Sequence, residues 1–307
     1  MNAPLHAIGP LALLIFYGSG VLPLATATEP FRFGVSSASL GVLHRNDMTA
    51  ALKAWGTAVT KDLRLDVRID VVLYDSESRL SAALADGSVE SATMTAEEFV
   101  RSGARPEELF MTARNGSCTK QYLLLTRLKS PHHDLASLVG KELALHDGPA
   151  TSLALPWLDT VLLRQGAKRA QDAFGKLNRL DNPSKCVLRV FFGQSEACLV
   201  TAETFQVACE LNPQLQTALR PIASSPPLIP TFFFIRPDYQ ASLRSEIEQA
   251  LTHIHSSVSG LQLLTVYMAT SLERHPSAVF DTTRRLVEEY HRLLLPAEPS
   301  PGTRPSP

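Results

Sequence analysis

The sequence predicts an α/β protein of two lobes, and three observations predict it. Short β-like runs alternate with amphipathic helices along most of the chain, a pattern that calls for parallel strands joined by right-handed crossovers. The alternation breaks twice, at Leu109 to Thr126 and at Ala218 to Phe234, and it restarts between the two breaks. A chain that leaves one α/β unit, builds a second and returns must cross between them twice, and a double crossing forms a hinge. A C-terminal helical segment completes the fold. The alternative is a single doubly wound domain with a helical cap.

Phe31 to Val35 reads as a strand, followed by the polar turn Ser36-Ser37-Ala38-Ser39. A helix starts near Asp47, with Met48, Leu52, Trp55, Val59 and Leu63 recurring at spacings of three and four. Val67 to Leu73 is the second strand, and Tyr74-Asp75 lead into a helix whose Leu80, Ala83 and Leu84 share a face. A third strand ends at Met94, where Thr95 and Glu98 have the spacing of a capping box. Apolar runs at Phe110-Met111 and Tyr122 to Leu125 flank the polar stretch Arg114 to Lys120, the first break.

The middle segment then repeats the pattern. A strand covers Glu142 to Leu145, with helices at Ser152 to about Arg164 and near Ala167 to Phe174, and a strand follows at Lys176 to Leu180. Asn182-Pro183 is a cap with proline at the first helical position. The helix through Val187 and Phe191 leads to the strand Ala197 to Thr201 and a helix from Glu203, after which Asn212-Pro213 repeats the cap signature. The second break carries Pro221, Pro226, Pro227 and Pro230 and ends in the apolar run Thr231 to Ile235. Three helices finish the chain: one with Leu243, Ile247, Leu251 and Ile254 on a face, one over about Leu261 to Thr270, and one carrying Val287, Tyr290 and Leu294.

The ends set the compartment. Ile8 to Leu24 is apolar or small and runs into Ala25-Thr26-Ala27, the small-x-small pattern cut by a signal peptidase. The n-region has His6 but no Lys or Arg, and an uncleaved anchor is the other reading, although Gly18, Gly20 and Pro23 interrupt the apolar run. The expected division is a signal peptide at 1–27, a first lobe at 28–127, a second lobe at 128–222, a returning first-lobe part at 223–295 and a disordered proline-rich tail at 296–307. The mature chain is expected in the periplasm as a monomer. In an exported chain, Cys118, Cys186, Cys198 and Cys209 favour disulfides, with three full pairings open. The charges nearly cancel, 29 basic against 30 acidic, which argues against nucleic acid as a partner.

The segment His146-Asp147-Gly148-Pro149-Ala150-Thr151-Ser152 carries the most chemistry. It joins a strand to a helix start, where unpaired N–H groups favour an oxyanion, and Thr151 and Ser152 add hydroxyl donors. The plain alternative is that one of these hydroxyls caps its own helix. Ser184 and Lys185 offer a second helix start, and Ser36, Ser37 and Ser39 a third. Tyr74, Thr95 and Thr201 follow strands on the same rim, and His146 ends a strand beside the turn. Catalytic patterns are poor: Gly193-Gln194-Ser195-Glu196-Ala197 misses the nucleophile elbow and precedes its strand. His253 and His255 are two apart on a helix, a poor metal pair, and His132-His133 lie in a loop. No metalloprotease, paired C-x-x-C or P-loop pattern occurs, so neither an enzyme nor a cofactor is expected.

These residues resemble a known family. Gly140 to Asp147, Ala150-Thr151-Ser152 and Pro156 resemble the second-lobe opening of phosphate/phosphite/phosphonate-binding proteins of ABC importers. Val190 to Ala197 and Leu211 to Leu215 resemble later landmarks, and Phe31 to Val35 with Trp55 its beginning, so the likeness spans roughly Phe31 to Tyr239. The resemblance implies a type II periplasmic-binding-protein fold, a small phosphonate- or phosphate-like anion held between the lobes, and an ABC permease as partner. A membrane sensor is the alternative partner. It also implies an oxyanion held by a Ser-Thr-Ser-Gly run, which here reads Ala150-Thr151-Ser152-Leu153. The family's acidic residue in a Val-Asp-Ala setting is replaced by Ser195-Glu196-Ala197, and Asn182 to Lys185 stand where a histidine is common.

Overall fold

The computed structural model describes residues 30–40, 45–62, 67–239 and 241–295. The expected signal peptide, the proline-rich tail and Leu63 lie outside these residues, as do the side chains of Met48 and Val59. In chain order, β1 (Phe31–Ser36) passes directly into a one-turn helix, α1 (Ser37–Leu40), where the sequence predicts only a turn. Then come α2 (Arg45–Asp62), β2 (Ile69–Tyr74), α3 (Glu77–Ala85), β3 (Ser91–Thr95), α4 (Ala96–Ser102) and β4 (Glu108–Ala113). The middle of the chain holds β5 (Tyr122–Arg127), β6 (Glu142–His146), α5 (Ala154–Arg164), α6 (Ala170–Ala173), β7 (Lys176–Leu180), α7 (Pro183–Phe191), β8 (Ala197–Thr201), α8 (Ala202–Leu211), α9 (Gln214–Ala218) and β9 (Leu219–Ser224). The chain closes with β10 (Thr231–Ile235), α10 (Ala241–Thr252), α11 (Val258–Val266), β11 (Ser271–Pro276) and α12 (Asp281–Leu294).

The strands form two sheets, ordered β11-β4-β10-β3-β1-β2 and β7-β6-β8-β5-β9. The chain passes between them twice, after β4 and after β9, and the two crossings touch through an antiparallel bridge between Lys120 and Leu228. This is an α/β, two-lobed type II periplasmic-binding-protein fold. Two strands go unseen in the sequence. β9 hides in the proline-rich passage because Pro221 interrupts its pattern, and the sheet edge tolerates it; a register shift at Leu124/Leu125 accompanies it. β11 (Ser-Leu-Glu-Arg-His-Pro) has little apolar alternation because it too is an edge strand, paired only with β4.

Alternation along each strand sorts side chains to the two sheet faces. Phe31, Phe33 and Val35 join Phe233, Ile235, Leu52 and Trp55 in a core on the outer side of the first sheet. Ala144, Cys198 and Val200 join Val187 and Leu215 on the outer side of the second. Between the lobes, Met94, Phe99, Phe232 and Phe234 belong to the same cluster as Tyr122, Leu143, Leu145 and Leu158, so the inner core is continuous across the crossings. Phe99 meets Phe232, Phe234 and Phe280 with ring centroids 4.7, 5.4 and 5.2 Å apart.

Residues 223–295 divide their contacts. β10 and β11 rejoin the first sheet, whereas α12 packs against both α4 and α5. On the α5 side, Arg164 Nε donates to Glu289 at 2.7 Å, while Asp159, Arg169 and Tyr290 form a three-member network. On the α4 side, His291 lies 3.6 Å from Glu97. No helix among the described residues is long and apolar enough to cross a membrane.

All four cysteines are free, so the expected disulfides are not formed. Cys186 on α7 and Cys198 on β8 are fully buried and act as small apolar side chains in the outer core of the second sheet. Burial pushes the Cys186 thiol up to about 12 and the Cys198 thiol up as well, so both are inert. Cys209 packs at the margin of that core, and Cys118 sits apart in the first crossing. Cysteine count and export suggested pairing; position in the fold decides against it.

Candidate functional site

Most of the predicted site residues gather where strand ends of the two sheets meet. β6 delivers His146 to a short 3-10 turn, Pro149–Thr151, and this turn packs against α1 of the other lobe and against β8. The serine-rich helix start after β1 and the hydroxyl-bearing turn after β6 therefore face each other, as ligand sites at strand carboxyl ends require. Tyr74 lies beside Ser36 in the register of β2 on β1, and Thr201 ends β8 next to the turn. Ser184 and Lys185 sit further out, at the head of α7 beyond the edge strand β7; Lys185 is exposed, 3.6 Å from Asp181.

The hydroxyls on the first-lobe wall are already committed. Glu98 is buried, and its carboxylate accepts from Ser36 Oγ at 2.5 Å and from Thr95 N and Oγ1 at 2.9 Å each. Glu98 N in turn donates to Thr95 Oγ1 at 3.3 Å, which completes the capping box. Ser37 Oγ donates to Asp75 at 2.7 Å and Ser39 Oγ to the Ser36 carbonyl at 2.7 Å. Ser36 accepts from Ala38 N. Buried polar groups cost free energy unless paired, and here the pairs are internal. Tyr74 is half-buried at the rim, where burial raises its phenol.

In the second lobe Thr151 and Ser152 part company. Thr151 Oγ1 accepts from Gly148 N at 3.1 Å and reaches the carbonyls of His146 and Gly148 at 2.8 and 3.0 Å. It is the pin of the turn; neither it nor Ser152 caps α5, which begins at Ala154 with no side-chain cap. Ser152 Oγ is buried and has no hydrogen-bond partner; among the described residues it is the one buried hydroxyl in this condition. An unsatisfied buried hydroxyl costs about 1–3 kcal/mol. Thr201 caps α8 by accepting from Thr204 N at 3.1 Å.

Two supporting groups were not visible in the sequence as site residues. The phenol of Tyr122, fully buried at the start of β5, donates to the Ala150 carbonyl at 3.0 Å and props the turn from beneath. Gly148 makes room for His146: a Cβ there would sit 2.9 Å from His146 Cε1. Burial lowers the His146 imidazole, opposed by Asp147 and by the carbonyl and carboxylate of Asp181. Glu196 lies at the amino end of β8, away from the turn, where it pairs with Arg127 at 3.1 Å. His133 faces Arg220, and His253 and His255 both lie just past the end of α10, His255 in a 3-10 turn, with ring centroids 6.4 Å apart. A separate cavity inside the first lobe, walled by Phe33, Trp55, Phe110, Leu251 and Leu263, is almost wholly apolar and unsuited to an oxyanion.

The family model for the phosphonate ABC transporter periplasmic substrate-binding protein matches residues 41–275, well over half of the chain. The chain belongs to this family. Its members are periplasmic substrate-binding components of ABC transporters and are not enzymes. Solved structures agree on the fold of this phosphonate-binding family member. XAC2383 from Xanthomonas citri, bound to ATP, is 17% identical with a TM-score of 0.58, covering 86% of this chain and 97% of that one. PhnD1 from Prochlorococcus marinus, in complex with methylphosphonate, is 11% identical with a TM-score of 0.55, covering 85% and 98%. The binding-protein component PA3383 of a phosphonate transporter from Pseudomonas aeruginosa is 12% identical with a TM-score of 0.54, covering 87% and 88%. At these identities the likeness is one of fold. No curated protein matches the sequence.

Proposed function

We propose that this chain captures a small phosphonate- or phosphate-like oxyanion between its lobes and delivers it to an ABC permease. The observation that carries the reading is the unpartnered, buried hydroxyl of Ser152, one residue beyond the turn that meets α1. A free buried donor favours an acceptor-rich ligand, and charge-assisted hydrogen bonds from hydroxyls to an anion are stronger than neutral ones. The first-lobe hydroxyls are already bonded to Glu98, Asp75 and the backbone, so the anionic head group is assigned to the second lobe. In this reading residues 28–127 and 223–295 form the first lobe and 128–222 the second, with residues 1–27 removed on export; the mass of the mature protein, starting at Thr28, checks that boundary.

A thermal-shift panel of phosphate, phosphite, alkylphosphonates and sulfate tests the ligand. A bound ligand at 100 times its dissociation constant stabilises the fold by about 2.7 kcal/mol. The shift is expected with a phosphorus oxyanion and is lost in Ser152→Ala. A shift with a sulfonate or an amino acid, and none with any phosphorus oxyanion, overturns the ligand while leaving the fold intact.

A further inference from the structure

Cys118, Glu273 and His275 come together at the first crossing although the cysteine is more than 150 residues from the other two in sequence. Two local features bring them together. After β4 the chain reverses through Asn115 and Gly116, with φ of 52° and 73°, in a tight turn closed by Arg114 N to Ser117 O at 3.1 Å and Ser117 N to Arg114 O at 3.0 Å. Asn-Gly is the dipeptide for such a turn, since both central residues need positive φ. The reversal carries Cys118 back toward β11, the edge strand hydrogen-bonded to β4. Glu273 and His275, two apart on β11, project to the same side of the sheet.

The three donor atoms form a compact triangle. Cys118 Sγ lies 3.4 Å from Glu273 Oε2 and 3.6 Å from His275 Nε2, and His275 Nε2 lies 3.1 Å from Glu273 Oε2. Tetrahedral zinc with Zn–S of about 2.3 Å and Zn–N or Zn–O of about 2.0–2.2 Å separates its ligand atoms by roughly 3.4–3.6 Å. The observed edges match that figure to within a few tenths of an ångström. Thiolate, imidazole and carboxylate is also the donor set that zinc takes. The other oxygen of Glu273 accepts from Ser271 Oγ at 3.4 Å, a second-sphere contact that orients the carboxylate. All three residues are half-buried, which leaves a path for an ion to enter.

We propose that Cys118, Glu273 and His275 form a three-ligand site for zinc, with the fourth position open to water, that clamps the first interlobe crossing to the sheet edge. The site is independent of the oxyanion cleft and of the proposed ligand. Without a cation the Cys118 thiol is a poor nucleophile: burial, then Glu273, push it up to about 12. Zinc replaces that thiol proton, and the two negative ligands then balance the charge of the ion.

Cobalt is the spectroscopic probe. The full chain is reduced, stripped with a chelator, its four thiols counted after unfolding, and then titrated with Co²⁺. A sulfur-to-cobalt charge-transfer band that saturates at one ion per chain is expected, and zinc should bleach it. Cys118→Ser, close in volume, should abolish the band, and His275→Ala should weaken binding by more than about 100-fold, the upper range seen for outer-sphere changes. Cys209→Ser should retain the band. Urea unfolding of each variant without metal shows that it is folded. Absence of the band in the fully reduced wild-type chain, or its persistence in Cys118→Ser, overturns the site.

Discussion

The two walls of the cleft use the same sequence device to opposite ends. Each places hydroxyls just after a strand, at a helix or turn start. On the first-lobe wall Ser36 and Thr95 converge on Glu98, and Ser37 turns to Asp75. On the second, Thr151 is spent on its own turn while Ser152 has no partner. A hydroxyl after a strand therefore has a donor to spare for a ligand only when the fold leaves it unspent. The difference lies in neighbours: a buried carboxylate three residues into α4 takes the Ser36 and Thr95 donors, and Ser152 has no such acceptor.

The largest expected effect comes from removing that carboxylate. Glu98→Ala strands the Ser36 hydroxyl and the Thr95 N–H in the interior and deletes the capping box, so unfolding free energy in urea should fall by about 3 kcal/mol or more. A loss below about 1 kcal/mol would show that the first-lobe hydroxyls are not committed, and the contrast would collapse. Thr151→Ala should cost about 1–2 kcal/mol, because the turn loses its pin. Ser152→Ala should behave oppositely, leaving the ligand-free protein as stable as the parent or more so by up to about 1 kcal/mol, since it removes an unpaired buried hydroxyl. A clear loss there would make Ser152 structural.

The smallest effect concerns pH. Burial lowers the His146 imidazole below its ordinary value of 6.5. The unfolded chain then binds the proton more readily, so folded stability is full above that value and declines as the pH falls through the window beneath it. Urea unfolding at mildly acidic and neutral pH should show the wild type losing stability relative to His146→Gln on acidification. Equal pH profiles would place the ring in a solvated, unperturbed setting.

Much of the fold was legible because periodicity and cap chemistry are local. The strands Lys176–Leu180 and Ala197–Thr201 have the bounds the sequence predicts, the apolar run Thr231 to Ile235 becomes β10, and the Thr95–Glu98 box and the Asn182 cap form as their spacing requires. β9 and β11 were hidden because edge strands need not alternate apolar and polar residues. The candidate site was legible only as a set of strand ends. Which hydroxyl stays free depends on tertiary neighbours such as Glu98 and Tyr122, and no spacing encodes those. The cysteines show the same limit: their number suggested bonds, but the packing of α7 on β8 buries Cys186 and Cys198 as apolar side chains.

The last helix bears on how the lobes can move. Two covalent strands join the lobes, and α12 adds a third tie, with Glu289 and Tyr290 held by the α5 side and His291 near Glu97 on the other. Ile229 N in the second crossing donates to Thr283 Oγ1 at 2.9 Å, which fastens the helix to the hinge itself. A body tied to both halves and to the pivot cannot be swept aside by closure. Any rotation between the lobes that kept this packing would need its axis close to α12, so the helix would act as its axle.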